Sequence, residues 1–166
     1  CWAIGASAAN VDASFRPAGG GLFGVWRSRI GRPRDEVSLI SSWPDGCDAA
    51  AAEAALLAPL APVRSTSSRA MTPTLRPSPN DGPPTRQGNY AFRWFTLPEA
   101  NLQEFLDLCT GAWPGFEAAY DSQIIGRWRL DGAADGQADV LPLTRRPDLA
   151  TWERPNLPAN PPRPRA

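Results

Sequence analysis

The sequence contains no histidine and no lysine. Histidine is the commonest metal ligand and the usual general base near neutral pH, so its absence excludes Ser-His-Asp and Cys-His catalysis, proximal-histidine haem ligation and most zinc sites. We therefore expect no metal and no other cofactor. All 17 positive charges are arginine and they balance 17 acidic residues. A balanced chain has no global field that would attract nucleic acid or an anionic membrane. We therefore expect neither nucleic acid nor a membrane as a partner.

Cysteines and long apolar runs are also scarce. Cys1, Cys47 and Cys109 are an odd number at wide spacing and match neither a disulfide framework nor a CxxC metal site. Cys47 and Cys109 fall in helical patterns, so we expect buried free thiols and a cytoplasmic location. No stretch approaches the roughly 18 apolar residues of a membrane span. The initial cysteine is compatible with lipid attachment or a self-processing nucleophile, but a fragment of a longer chain is the preferred interpretation.

The most informative pattern that is present is an internal repeat. Gly24-Val-Trp26-Arg27 recurs as Gly126-Arg-Trp128-Arg129, 102 positions later, and Trp43-Pro44-Asp45 recurs as Arg146-Pro147-Asp148, 103 positions later. Between these landmarks each copy runs through a polar turn into an apolar segment. A repeat at nearly constant offset indicates two copies of one structural unit.

Hydrophobic periodicity and turn residues predict the elements of each unit. The first unit has strands over 22–30 and 36–43, a helix over 47–60 and an edge strand within 69–75. The second has a strand over 89–97, a helix that starts with a capping box at Thr96 and is kinked or split near Pro114, strands over 122–131 and 137–144, and a short helix over 148–152. The predicted divisions are a first unit 1–76, a Pro-rich linker 77–88, a second unit 89–156 and a disordered tail 157–166.

Several of these segments resemble one known family. Tyr90-Ala-Phe-Arg93, followed by a leucine-rich helix, resembles the opening of NIPSNAP domains, and the strand Ile124-Ile-Gly-x-Trp-Arg is similar to a later one. Pro147-Asp148 after the third strand and Leu75-Arg-Pro-Ser-Pro in the linker are also similar to that family. The resemblance covers roughly residues 15–153.

The resemblance implies membership of the dimeric α+β barrel superfamily, which is built from ferredoxin-like β-α-β-β-α-β units. We therefore expect an α+β fold with two tandem ferredoxin-like units that form a dimeric α+β barrel. In the sequence the first unit lacks its opening strand and the second its final strand. Unpaired edges invite pairing with another strand, so the expected partner is a second copy in a homodimer, or the other unit of the same chain.

Arginines supply the first candidate site residues. Arg27 and Arg129 occupy equivalent strand positions, and Arg93 lies on the neighbouring strand of the second unit. If the tryptophan faces pack against helices, these three arginines point into the barrel, where a guanidinium suits a carboxylate, a phosphate or an enolate. The alternative, which we favour, is that these arginines form ion pairs with Asp or Glu at the barrel rim and bind no ligand. Arg29 and Arg127 share the strand face but are not duplicated, so they rank lower.

Aromatic residues supply the rest of the candidate site. The aromatic residues that could line a ligand cavity are Trp26, Trp94, Trp113, Trp128 and Tyr90, of which Trp26, Trp128 and Tyr90 are assigned to the site. Large aromatics at this spacing usually belong to the core. Arg32-Pro-Arg34 and Arg145-Arg146 are assigned to turns without interleaved aromatics, which argues against nucleic-acid binding.

The expected function is that of a NIPSNAP-like protein of uncharacterised activity, which binds a small anionic or aromatic ligand or acts as an assembly module. The alternative is a cofactor-independent oxygenase or isomerase.

Overall fold

The computed structural model describes residues 21–34, 36–48, 51, 54 and 67–153. The chain divides into two compact units. The main elements are the strands β1 (Gly21–Arg27), β2 (Val37–Ser42), β3 (Met71–Pro73), β4 (Asn89–Phe92), β5 (Phe95–Pro98), β6 (Gln123–Leu130) and β7 (Gln137–Arg146), and the helices α1 (Leu102–Tyr120) and α2 (Leu149–Glu153). Both sheets are antiparallel and the chain also contains helices, which confirms the α+β class.

The first unit contains a two-stranded hairpin in which β1 pairs with β2. The register shifts between Leu22 and Gly24, so Phe23 is an extra residue that forms a bulge. The predicted alternation of faces along 22–30 is therefore interrupted at Phe23. Phe23 and Ile40 are the buried apolar residues of this hairpin.

The second unit contains a five-stranded sheet in the order β3-β6-β7-β4, with β5 also paired to β7. Strands β4 and β5 pair with one side of β7 and β6 pairs with the other side, all antiparallel to β7. Helix α1 connects β5 to β6. This connection is a split β-α-β arrangement. The single strand predicted over 89–97 is broken between β4 and β5, where the Arg93 backbone N–H donates to the Pro142 carbonyl at 3.1 Å.

Helix α1 packs on the sheet face that carries Ala138 and Val140, hereafter the α1 face. Its first buried residue is Leu102, which joins them in the core. The capping box predicted at Thr96 is wrong, because Thr96 lies in β5 and its Oγ1 donates to Asp139 Oδ1 at 2.6 Å. A single turn of 3-10 helix, Glu99–Asn101, precedes α1 instead. The helix is not split at Pro114, contrary to one of the predicted outcomes.

The other side of the sheet, hereafter the opposite face, carries a second set of buried apolar residues. Trp128, Leu130, Leu141 and Leu143 are all less than 5% exposed. Both faces of β6 and β7 thus carry buried residues. Trp128 points away from α1, so in this unit the tryptophan face does not pack on the helix.

The Gly-x-Trp segment has the same local geometry in both hairpins. In the second hairpin the register shifts between Ile124 and Gly126, as it does at the equivalent positions of the first. A Cβ added to Gly24 would lie 2.6 Å from Trp26 Cζ2, and one added to Gly126 would lie 2.8 Å from Trp128 Cζ2. Only glycine leaves room for an indole ring that folds back over the residue two positions earlier.

Other predictions differ from the structure or lie outside the described residues. Strand β3, assigned from sequence to the first unit, pairs with β6, and residues 71–81 group with the second unit. Cys47 is exposed and Cys109 is half-buried, so the expectation of two buried thiols is wrong. Of the predicted helix 47–60, Ala51 and Ala54 are helical and most of the remainder lies outside the described residues, as do residues 1–20 and the tail 157–166.

Candidate functional site

The duplicated arginines lie at the surface of their strands. Arg27 is exposed and its Nε donates to the Arg34 carbonyl at 2.9 Å. Arg129 is exposed and forms an ion pair with Glu99 at 3.0 Å. The Arg129 contact matches the alternative weighed from the sequence, in which these arginines pair with acidic residues at the rim.

The remaining predicted site residues differ in burial. Trp26 is half-buried, whereas its equivalent Trp128 is 4% exposed. Arg93 and Tyr90 are half-buried on or next to β4. The register places Tyr90 opposite Arg145 on β7, and the Tyr90 hydroxyl donates to the Arg86 carbonyl at 2.6 Å. Of the six predicted residues, Tyr90 therefore lies beside the end of β7, and Arg93 lies beside Pro142, four residues before that end.

Arg127, which ranked low in the sequence, is a buried guanidinium on the α1 face. Its Nε donates to Thr74 Oγ1 at 2.9 Å, its Nη1 to the Leu106 carbonyl at 2.8 Å and its Nη2 to Thr110 Oγ1 at 3.2 Å. Its Cζ lies 4.8 Å from the centre of the Trp113 ring. Burial lowers the pKa of Arg127, and its neighbours Cys109 and Asp107 act in the other direction.

A groove of about 410 Å³ runs beside Arg127. It is lined by Thr74, Leu75, Gln103, Leu106, Asp107, Thr110 and Arg127. The two hydroxyls that accept from Arg127 also donate, Thr74 Oγ1 to the Arg127 carbonyl and Thr110 Oγ1 to the Leu106 carbonyl. The polar groups under the groove thus satisfy one another, and Arg127 joins β6, α1 and the segment after β3 as a structural clamp.

A second guanidinium packs on the other side of this clamp. Arg76 forms an ion pair with Glu117 at 2.8 Å, and its Cζ lies 5.3 Å from the centre of the Trp113 ring. The same Glu117 oxygen accepts the backbone N–H of Ile124 at 2.8 Å. Trp113 therefore contacts two guanidinium groups, and only Arg76 of the two has a carboxylate partner among the described residues.

The end of β7 differs from the clamp, because its polar side chains are buried without full hydrogen bonding. Thr144, Arg145 and Arg146 are 5%, 5% and 2% exposed. Thr144 Oγ1, Arg145 Nη1 and Arg146 Nε are shielded from solvent and have no hydrogen-bond partner. A buried donor without a partner costs about 1–3 kcal/mol, and more for a charged group. Such groups call for a ligand, an ion or a water.

These three residues alternate between the two faces of the sheet. Arg145 lies on the opposite face, beside Tyr90, and its Nε donates to the Gln87 carbonyl at 2.8 Å. Thr144 and Arg146 lie on the α1 face. The Arg146 Cζ is 5.1 Å from the centre of the Phe116 ring.

Burial and the nearby charge of Arg93 lower the pKa of Arg146, and Tyr120 acts in the other direction. Burial raises the pKa of Tyr90, against the effect of the positive charges of Arg145 and Arg86. Arg146 therefore lies in an environment of low dielectric with a second positive charge nearby.

Sequence reasoning assigned Arg145 and Arg146 to a turn, whereas they are the last two residues of β7. The signal that pointed to them was the repeat itself, because Arg146 stands where the first copy has Trp43. A guanidinium in place of a half-buried indole marks a position at which the two copies differ in chemistry.

No protein-family model, no curated protein and no solved structure matches this chain. Within the described ranges, no group of three or more Cys, Asp or Glu side chains is placed to hold a metal ion. In the same part of the chain, no helix is long and apolar enough to cross a bilayer.

Proposed function

We propose that this chain is a binding module that takes the carboxylate of a small, partly aromatic molecule at Tyr90 and Arg145. The observation that carries the proposal is the Arg145 Nη1 group, which is buried with no hydrogen-bond partner. A carboxylate accepts from a guanidinium through short, charge-assisted bonds, and these are among the strongest in proteins. A ligand oxygen at Nη1 would remove the cost of this unpaired donor.

The surroundings of Arg145 favour an apolar body on the ligand. Tyr90 is half-buried beside Arg145, and the apolar Leu143 lies two residues before Arg145 on the same face. Ligand sites typically combine mostly apolar walls with a few polar groups that fix orientation. A benzoate-like molecule satisfies both requirements, because its ring suits the apolar wall and its charge suits Arg145.

We also propose that the chain is NIPSNAP-like, with two tandem ferredoxin-like units and a cytoplasmic location. Two features support the architecture: the split β-α-β connection of the second unit and the matching bulges and glycine–tryptophan contacts of the two hairpins. A dimeric α+β barrel remains part of this proposal.

The binding proposal is tested by calorimetric titration of the whole chain with benzoate and with neutral benzamide. We expect benzoate to bind and benzamide to bind at least tenfold more weakly. Arg145→Gln should abolish benzoate binding, whereas Arg32→Gln, which removes the same charge at an exposed ion pair with Glu36, should leave it unchanged. Equal binding by Arg145→Gln and the unaltered chain would overturn the proposal.

A second candidate function is assembly into a homodimer through the outer edge formed by β4 and β5. Both strands pair with β7, and no described strand pairs with their outer side. At the break between them, Trp94 and Phe95 are 51% and 40% exposed. Exposed aromatics on an open strand edge favour pairing with another strand.

The assembly proposal is tested by sedimentation velocity on the unaltered chain and on Trp94→Glu. We expect a dimer that dissociates in the variant, and a monomeric unaltered chain would exclude assembly by this edge. The alternative of a cofactor-independent oxygenase or isomerase stays a prediction, because no contact in the described part of the chain favours it.

A further inference from the structure

Two unpartnered groups lie side by side on the α1 face at the end of β7. Thr144 and Arg146 are two residues apart on one strand, so their side chains project on the same side. Thr144 Oγ1 and Arg146 Nε are both buried and both lack a hydrogen-bond partner. A hydroxyl and a guanidinium N–H in this arrangement are two donors that a single oxyanion can accept.

The first hairpin shows how the same pair of positions is satisfied when no ligand is needed. Ser41 and Trp43 stand 103 positions before Thr144 and Arg146. There the Trp43 Nε1–H donates to Ser41 Oγ at 2.8 Å, so hydroxyl and indole satisfy each other. In the second hairpin the hydroxyl belongs to Thr144 and the donor two residues later is the Arg146 guanidinium. Thr144 Oγ1 and Arg146 Nε do not bond each other, and neither has another partner.

The charge around this pair is positive and uncompensated. Arg93 lies close enough to lower the pKa of Arg146, and only burial has a larger effect on that pKa. Among the described residues neither Arg93 nor Arg146 forms an ion pair with Asp or Glu. The partners of Arg146 are the Phe116 ring and the Trp152 carbonyl, which are not charged. Two guanidinium groups without a carboxylate are balanced by a ligand of charge −2.

We propose that Thr144, Arg146 and Arg93 form a site for a dianionic phosphate group, separate from the carboxylate site on the opposite face. The Thr144 hydroxyl and Arg146 Nε–H donate to two phosphate oxygens, and Arg93 supplies the second positive charge. Clustered guanidinium groups favour phosphate because they match its charge and its several acceptor oxygens.

Helix α2 lies against Arg146 in this site. Its Trp152 carbonyl accepts from Arg146 Nη1, and the helix has five residues, with the Thr151 N–H bonded to Asp148 Oδ1 at 2.6 Å.

The test is calorimetric titration of the whole chain at pH 8 and constant ionic strength, with inorganic phosphate, phenyl phosphate and acetate as probes. We expect phosphate to bind at least tenfold more tightly than acetate. Stronger binding by phenyl phosphate would identify a phosphomonoester as the source of the group, and stronger binding by inorganic phosphate would identify the free ion. Either result supports the site, whereas no saturable binding of either probe overturns it.

Two variants assign the binding to these residues. Thr144→Val keeps the shape of the side chain and removes the donor, so we expect a loss of at least tenfold in phosphate affinity. Arg93→Gln, at a half-buried position, should reduce the preference for phosphate over acetate, and Arg32→Gln should change neither value. Unchanged phosphate binding in both Thr144→Val and Arg93→Gln would overturn the proposal. Benzoate titrations of the same variants report separately on the carboxylate site.

Discussion

The two Gly-x-Trp hairpins share a backbone and differ in the side chains at the end of their second strands. Each has a bulge before the glycine and an indole ring over it. In the first, Ser41 and Trp43 close a hydrogen bond, whereas in the second Thr144 and Arg146 leave two donors open. The repeated backbone is therefore compatible both with an end whose donors bond each other and with an end that leaves two donors without partners.

The two copies also differ in how deeply their equivalent residues are buried. Trp128 is 4% exposed and Trp26 is half-buried. The position of Arg127, a buried clamp in the second copy, is held by Val25 in the first. The second hairpin thus carries most of the packing and all of the buried arginines that the structure describes.

The largest expected difference between the copies concerns their tryptophans. Trp128→Ala should lower the free energy of unfolding by about 3–5 kcal/mol, because it leaves a cavity among residues that are themselves buried. Trp26→Ala should cost less than about 2 kcal/mol, since its ring is partly solvated. Urea unfolding followed by circular dichroism measures both values. Equal losses would mean that the two rings are equally important to the fold.

The glycines beneath these rings give the next largest effect. Gly126→Ala should cost about 1–3 kcal/mol, because the new Cβ would lie 2.8 Å from Trp128 Cζ2 and 2.9 Å from Pro77 Cδ. Gly24→Ala places its new Cβ against the Trp26 ring, which is half-buried, so its loss should be smaller. The same unfolding experiment decides this, and a larger loss for Gly24→Ala would contradict the comparison.

A smaller effect separates the hydroxyls of the two hairpins. Ser41→Ala removes a formed hydrogen bond and should cost about 0.5–1.5 kcal/mol. In buffer without phosphate, Thr144→Val should be neutral or stabilising, because it replaces an unpartnered buried hydroxyl with a methyl group. Thermal melts of both variants test this. A destabilised Thr144→Val protein would show that the hydroxyl already has a partner.

The smallest expected effect is a loss of stability at alkaline pH that depends on Tyr90. Burial raises its pKa in the folded state, so folding favours the protonated phenol. This contribution to stability is complete below the ordinary tyrosine pKa of about 10 and is lost as the pH rises through the folded-state value. Tyr90→Phe should therefore lose less stability than the unaltered chain between pH 9 and pH 11. An identical pH dependence of the two proteins would rule out this contribution.

The sequence predicted the fold class, the two hairpins and the position of α1 from local periodicity and from the repeat. It did not predict that β3 pairs with β6, because periodicity does not encode which distant strand is a neighbour. It placed the helix cap at Thr96, whereas pairing with β7 extends the strand through Pro98. Here tertiary pairing outweighed a local capping signal.

The candidate sites were only partly visible in the sequence. Tyr90 and Arg93 were identified, because they belong to an aromatic strand beside the repeat. Arg145 and Arg146 were missed, because adjacent charges before a proline are typical of a turn. Arg146 is buried by packing against Phe116 and α2, and Arg145 by its position on the opposite face beside Tyr90, which no local pattern records.

The most direct test of the open pair in the second hairpin is an arginine Nε–H nuclear magnetic resonance titration with inorganic phosphate. Arg146 Nε has no partner, whereas Arg127 Nε is bonded to Thr74 Oγ1 and serves as an internal reference. The Arg146 signal, assigned by its loss in Arg146→Gln, should shift saturably while the Arg127 signal stays in place. An Arg146 signal that does not move at saturating phosphate would contradict the anion site.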